Sequence, residues 1–234
     1  MKNKILKKRG NWNFKGKVVP NFDNHINLSV PLYKEGHELI IKLSDFFLKD
    51  RSNCYDLGCS TGNLLFKIKN FTNKKVNFFG VDVEKDMTNF AKKKLKKQKI
   101  KNIKIFNKNL IQTKLKKSDL IICYYTLQFI NPEHRQNFLK KIYKALNWGG
   151  GFILYEKIRG PDARFQDMYT SLYNDFKEKN GLSIYEIFNK QKSLRGVLEP
   201  FSDFGNLGLL KRAGFKDITT ISQYLCFKGY LCIK

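Results

Sequence analysis

The sequence predicts an α/β protein, a doubly wound and mostly parallel sheet that closes with a C-terminal antiparallel hairpin. Three observations carry this. Short apolar segments at 53–57, 76–82, 102–107, 118–125 and 151–157 alternate with stretches of helical periodicity. The first segment runs into a tight glycine turn, Leu57–Gly62, and then a helix start at Leu64, Leu65, Phe66 and Ile68. The last two segments, 215–222 and 224–233, follow each other with no helix between, as an antiparallel pair does.

Each element has its own signal. Residues 1–28 are polar and irregular, with Trp12, Phe14 and Phe22 as isolated anchors, and read as an arm over the body. A helix follows Ser29-Val30-Pro31, with Leu39, Ile40, Leu43, Phe46 and Phe47 expected on its buried side. The helix after the second strand carries Met87, Phe90, Ala91 and Leu95 inward. Asn131-Pro132-Glu133 is a helix start, a capping side chain followed by proline in the first turn. Its apolar stripe is Phe138, Leu139, Ile142 and Leu146, and Gly149-Gly150-Gly151 is expected to stop it. A helical segment, 161–213, precedes the closing hairpin and is expected on the substrate side. The whole chain, 1–234, is expected to form one domain.

Composition narrows the class. Hydrophobic residues at 42% and aromatics at 14% suit a folded globule. The longest apolar stretch, around Leu120–Tyr125, is far short of a membrane span, and the basic N-terminus lacks the apolar core of a signal peptide. Five cysteines without metal-ligand spacing point to reduced thiols and a cytoplasmic location, with no metal. The net charge of +25 invites a nucleic-acid reading, centred on Lys92–Lys104. Only seven of the 45 basic residues are Arg, however, and that lysine run sits outside a buried stripe. It reads as a solvated face, and nucleic acid is not the favoured partner.

The chemistry concentrates at Tyr55–Asn63 and Asp82. Gly58 permits a sharp bend after the first strand, and a side chain there would collide with a ligand lying across the strand end. The following helix start offers free N–H groups. Asp82, at the end of the second strand, is placed to accept from both hydroxyls of a ribose. A dinucleotide fingerprint needs three small residues, but the positions read Gly58, Ser60 and Asn63. The same residues spell the G-x-S-x-G of a hydrolase elbow, yet the one histidine downstream, His134, falls in the first turn of a helix. S-adenosylmethionine (SAM), with a ribose and adenine and no phosphate, fits best.

Tyr55–Gly62 resembles motif I of the class I SAM-dependent methyltransferases. Thr126-Leu127-Gln128-Phe129, Pro132–Asn147, Glu156-Lys157, Asp175-Phe176-Lys177 and Lys211–Phe215 are similar to the carboxy-S-adenosylmethionine synthases, and the likeness runs from about Trp12 to the end. That resemblance implies a homodimeric α/β enzyme holding SAM or a carboxylated derivative. Its reaction would move a carboxyl group from prephenate to the methyl carbon of SAM, in the service of tRNA wobble-uridine modification. Carried over by position, the cofactor residues are Tyr33, Asp56, Gly58, Cys59, Ser60, Asp82, Val83, Asn109, Leu110 and Tyr124. Three of these positions, and one on the substrate side, depart from the family. Asn109 replaces an adenine-binding Asp, Val83 a polar neighbour of the ribose acid, and Tyr124 an Asn. Gln191 stands where the family has the arginine that pairs with the transferred carboxylate.

An amide cannot match the bidentate, charge-assisted grip of a guanidinium. Lys190, Lys192 and Arg195 are the nearby cations that could replace it. The leading expectation is therefore methyl transfer from SAM to a small-molecule or nucleotide-containing acceptor. Carboxy-SAM synthesis is the alternative, and an RNA-binding scaffold on the same fold is the third. On the substrate side, Tyr124, Tyr125, Gln191, Lys192 and Arg195 are the candidates. Tyr124 and Tyr125 could face a sulfonium or simply pack in the strand. Glu156 and Lys157 could touch substrate or form a solvated ion pair, and Arg159 is equally ambiguous. His25 and His37 read as surface or helix-edge residues, and Cys59 as a small filler.

Overall fold

The alternation of strand and helix resolves into one seven-stranded sheet in the computed structural model, which describes residues 9, 10, 12, 16 and 19–234. In chain order the elements are α1 (Phe22–Ser29), α2 (Tyr33–Phe47), β1 (Asn53–Leu57), α3 (Asn63–Phe71), β2 (Asn77–Asp82) and α4 (Lys85–Lys97). Then come β3 (Ile103–Asn107), β4 (Ser118–Tyr124), a 3-10 turn at Leu127–Phe129, α5 (Pro132–Ala145) and β5 (Leu146–Lys157). Helices α6 (Ala163–Lys179), α7 (Ile184–Ser193) and α8 (Asp203–Ala213) precede β6 (Asp217–Tyr224) and β7 (Phe227–Ile233).

The strand order is β3-β2-β1-β4-β5-β7-β6. Strands β1 to β5 are parallel, and β7 runs antiparallel to both β5 and β6. The order reverses between β1 and β4, so a crevice opens beyond the carboxyl ends of those two strands. Period-two alternation divides the core. Tyr55, Leu57, Ile121, Cys123, Phe152 and Leu154 face α5 and α8, with Phe138, Leu139, Ile142, Leu209 and Leu210 against them. Cys54, Leu120, Ile122 and Ile153 face the opposite way, toward Ile40 of α2 and Leu65 and Ile68 of α3. Among the described residues no helix is long and apolar enough to cross a membrane.

Several sequence expectations need correction. Residues 22–29 are helical rather than irregular, and Phe22 is buried with Val19 and Met87; Phe14 lies outside the described residues. The buried side of α2 is Gly36, His37, Ile40 and Ser44, while Phe46 is 83% exposed. The helix docks through its small residues, which allow a closer approach than the larger apolar stripe would. Phe47 is half-buried, and its ring takes the space a side chain at Gly151 would need, since a Cβ there would meet it at 2.8 Å. The three glycines therefore do not stop α5. That helix ends at Ala145, Leu146 opens β5, and the glycines lie within the strand. The start of α5 is as expected, with the Asn131 side chain accepting from Glu133 N–H. In 161–213, α6 and α7 face the crevice, whereas α8 packs into the core beside α5.

Candidate functional site: a cavity at the sheet switch point

Beyond β1 and β4 the crevice deepens into a cavity of about 930 Å³, at the upper end of the roughly 300–1,000 Å³ usual for small-molecule sites. The β1–α3 turn forms one wall. Gly58 has φ +90°, Ser60 +47° and Gly62 +72°. A Cβ on Gly58 would lie 2.1 Å from Thr126 Oγ1, so the glycine is required by Thr126 rather than by a ligand alone. Cys59 is buried against Gly80, and burial pushes its thiol well up, as suits a filler.

Asp82 fixes this turn. Its Oδ2 accepts from Ser60 N–H and its Oδ1 from Glu84 N–H, both at 2.8 Å. Each oxygen keeps a second lone pair, enough for the two hydroxyls of a ribose. Burial raises its pKa, and those two N–H groups oppose the rise. Asp56, buried at the end of β1, has an Oδ1 with no hydrogen-bond partner among the described residues. Burial first, and then the Asp82 charge, raise its pKa to about 7. An orphaned carboxylate oxygen on a cavity wall suits a cationic ligand group, and SAM carries both an ammonium and a sulfonium. Val83 is exposed at the rim, its carbonyl accepting from the Asn107 amide at 2.8 Å. Asn109 uses its amide oxygen to accept Ile111 N–H at 2.9 Å, leaving one lone pair and its NH₂ for an adenine.

Aromatic rings close the cavity at the ends of β4 and α2. Tyr124 packs edge-on to Tyr33 at 5.0 Å between centroids and to Tyr125 at 4.7 Å, and tilted against His37 at 4.7 Å. Its hydroxyl donates to the Tyr33 carbonyl at 2.8 Å. Room for that hydroxyl exists because residue 36 is glycine, where a Cβ would sit 2.3 Å from it. His37 is not a helix-edge residue. It is 3% exposed inside this cluster, and burial lowers its pKa to about 3, so the ring is neutral. The signal in the sequence was its spacing, four residues after Tyr33 on one helix face.

The wall opposite comes from β5, α6, α7 and the segment after α7. Lys157, Arg159, Tyr173, Lys177, Lys190, Gln191 and Arg195 all line it. Gln191 is exposed there, as expected from its position, and Arg195 stands on the same wall. Lys192 is not among the lining residues, because α7 turns it away from Gln191's side. Lys190 Nζ lies 2.9 Å from Ser29 Oγ and 3.0 Å from His25 Nε2, which ties α7 to α1. The lysines at 157 and 177 are legible only as parts of the family-like segments Glu156-Lys157 and Asp175-Phe176-Lys177, and Tyr173 carries no such signal.

The 3-10 turn Leu127–Phe129 braces this wall. Gln128 Oε1 accepts from Lys157 N–H at 2.9 Å, tying the turn to the end of β5. Arg135, 1% exposed, donates to the carbonyls of Ile130 and Gln128 at 2.8 and 3.2 Å. Glu156 does not pair with Lys157 in solvent. It is 1% exposed, and burial raises its carboxyl to about 8 against the opposing pull of Arg135 and the N–H groups of Leu127 and Gln128. Ser60 lines the cavity but His134 does not, and His134 instead contacts Glu133 at 3.1 Å. The hydrolase alternative therefore lacks its base. Among the described residues no cluster of His, Cys, Asp or Glu is arranged to hold a metal.

Comparison with known proteins agrees with this geometry. Residues 55–152 match the family model described as a methyltransferase domain. The chain is 38% identical over 224 residues to the carboxy-S-adenosyl-L-methionine synthase of Staphylococcus epidermidis, covering 95% of this chain and 97% of that one. It is also 38% identical over 236 residues to the synthase of Campylobacter jejuni subsp. jejuni, with both chains covered completely. The crystal structure of a SAM-dependent methyltransferase from Aquifex aeolicus superposes with a TM-score of 0.60 at 16% identity, covering 90% of this chain and 97% of that one, which shows the shared fold. With the strand order, the motif I turn and full-length identity in agreement, the chain belongs to the carboxy-S-adenosyl-L-methionine synthase family, SAM-dependent transferases on the methyltransferase fold.

Proposed function

We propose that the second substrate of this SAM-dependent transferase is a small organic carboxylate, and that the product is carboxy-SAM. The observation that carries this reading is the division of charge across the cavity. Asp56, Asp82 and Glu84 line the cavity from the β1–α3 turn and the end of β2, whereas Lys157, Arg159, Lys177 and Arg195 line it from β5, α6 and the segment after α7, where Glu199 is the one acid among them. The acidic side suits the cationic cofactor and the basic side suits an anionic partner. Bound there, SAM supplies a methyl carbon made electrophilic and acidic by its sulfonium. The protein's share is alignment and exclusion of water in a closed space. Arg195 offers the planar fork that Gln191 lacks, and stands on the same wall.

Methyl transfer to the acid itself is the second reading, and Gln191 in place of the family arginine favours it. Incubation of the purified protein with SAM and prephenate, followed by chromatography with mass detection, separates the two. Carboxy-SAM with phenylpyruvate supports the first. S-adenosylhomocysteine with a methylated acid supports the second, and neither product overturns both. Nucleic acid is not the proposed substrate, since the lysines of 92–101 surround the solvent side of α4 rather than the cavity. A cytoplasmic homodimer remains part of the proposal. The face of α6 carrying Phe165, Met168 and Leu172 is exposed at i, i+3 and i+7, and a second copy of the chain would cover it. Leu172→Glu should then convert a dimer to a monomer in light scattering; a wild-type monomer would refute the interface.

A further inference from the structure

Helix α6 is 17 residues long, and its one buried residue is a lysine. Lys177 is 6% exposed, with its Nζ 4.1 Å from the centroid of the Tyr173 ring one turn earlier. Lys157, from the end of β5, brings a second ammonium to the same ring, 4.6 Å from its centroid, and lies 6.0 Å from that of Phe227. The ring cannot swing away, because the Tyr173 hydroxyl donates to the Ser29 carbonyl at 2.7 Å and Phe227 packs edge-on at 5.0 Å. Among the described residues neither ammonium has a carboxylate within ion-pair distance.

Two like charges in a largely dry corner oppose each other, and a single aromatic face compensates them only in part. Burial lowers the pKa of both lysines; the Lys157 charge lowers that of Lys177 further, to about 8, and the Arg159 charge lowers that of Lys157, while Cys226, on the same corner, acts in the opposite sense. Stem packing alone would be served by a lysine whose head reached water, as snorkelling lysines do elsewhere. Here both residues line the cavity, and both ammonium groups sit against the Tyr173 ring.

We propose that Lys157 and Lys177 form an anion subsite that receives a carboxylate of the organic-acid substrate, with the rings of Tyr173 and Phe227 flanking its apolar body. This rests on the carboxylate reading above and adds where the acid is anchored. The subsite uses other residues of that wall than Gln191 and Arg195, so an acid with two carboxylates could be held at one while the other reacts. An acid bound there would supply the counter-charge that the fold omits.

The test uses full-length protein loaded with SAM and titrated with prephenate by calorimetry, at pH 8 in buffers of differing ionisation enthalpy. Lys157→Gln and Lys177→Gln should each weaken prephenate binding roughly tenfold, and the pair about a hundredfold, as expected for charged hydrogen bonds. SAM affinity should stay within about twofold in each. Lys177→Arg should restore most of the loss. The wild type should also take up a fraction of a proton per acid bound, as Lys177 regains full charge, and Lys177→Gln should not. If the double variant fails to fold, the single variants carry the comparison. Unchanged prephenate affinity in both single variants, with wild-type turnover intact, would overturn the subsite and leave the carboxylate reading standing. A wild type that binds SAM but no prephenate would overturn both.

Discussion

Gly36 offers the sharpest test of how the aromatic wall is built. Gly36→Ala places a methyl 2.3 Å from the Tyr124 hydroxyl and 3.2–3.3 Å from two ring carbons. The ring atoms can give by a few tenths of an ångström, but the hydroxyl cannot stay. Its 2.8 Å bond to the Tyr33 carbonyl breaks, at a cost of about 1 kcal/mol. Overpacking adds about 1–3 kcal/mol, and alanine in mid-helix returns about 1 kcal/mol. The net expectation is a loss of about 1–3 kcal/mol. Tyr124→Phe alone should cost about 1 kcal/mol through the same bond. Combined, the two should come back close to wild type, because phenylalanine removes the clashing atom and the helix keeps the benefit of alanine. Urea denaturation of the four proteins measures the cycle. Additive losses, or a Gly36→Ala protein as stable as wild type, would show that the hydroxyl does not set the distance between α2 and β4.

Asp82→Ala should weaken SAM binding by about 1–3 kcal/mol, roughly five- to a hundredfold, and loosen the Ser60 turn; unchanged affinity in calorimetry would remove Asp82 from the cofactor site. Gln191→Arg should raise carboxy-SAM formation about tenfold if Arg195 grips the acid only weakly, as read by mass-detected product; no change would mean that Arg195 already suffices. Glu156 has its folded pKa raised to about 8 from 4.5, so its stabilisation is complete below about 4.5 and is lost as pH rises toward 8. Relative to Glu156→Gln, the wild type should therefore lose up to about 1.4 kcal/mol per pH unit across that window, and parallel denaturation profiles would refute the buried-acid assignment. RNA binding, if detected in gel shifts, should vanish near physiological salt; binding that persists there and selects one tRNA would make RNA a true partner.

Strand positions and the closing antiparallel pair are legible because strand–helix alternation and short glycine turns are local signals, whereas the order of strands across the sheet is not. Asn53–Leu57 was read to the residue, and the acids at positions 56 and 82 fell at strand ends as expected. On α2, Ile40, Leu43 and Phe47 pack against the core as the apolar stripe implies, but Phe46 is exposed, and close approach buries Gly36, His37 and Ser44, to which apolar size does not point. Local sequence carries no record of how near a neighbouring element comes. The same reason hid His37, whose burial depends on Tyr33 and Tyr124 closing around it. The glycine run at 149–151 reads locally as a stop signal, but in the fold it admits Phe47 and pairs with Lys234 at the sheet margin. Lys192 was grouped with Lys190 and Arg195 by proximity in the chain, and helical rotation separated them.

Gly58 and Thr126 lie 68 positions apart in the chain, yet neither can be chosen without the other. With the threonine in place, any side chain at 58 meets its Oγ1, Cγ2 and Cβ at 2.1–2.8 Å. A lineage in which residue 58 drifted to alanine would first have to shorten residue 126, and would still carry the strain of φ +90°. The glycine of motif I and the first residue of the Thr126–Phe129 segment are therefore one inherited unit written in two places. Their joint retention or joint loss among relatives is the evolutionary trace that this contact predicts.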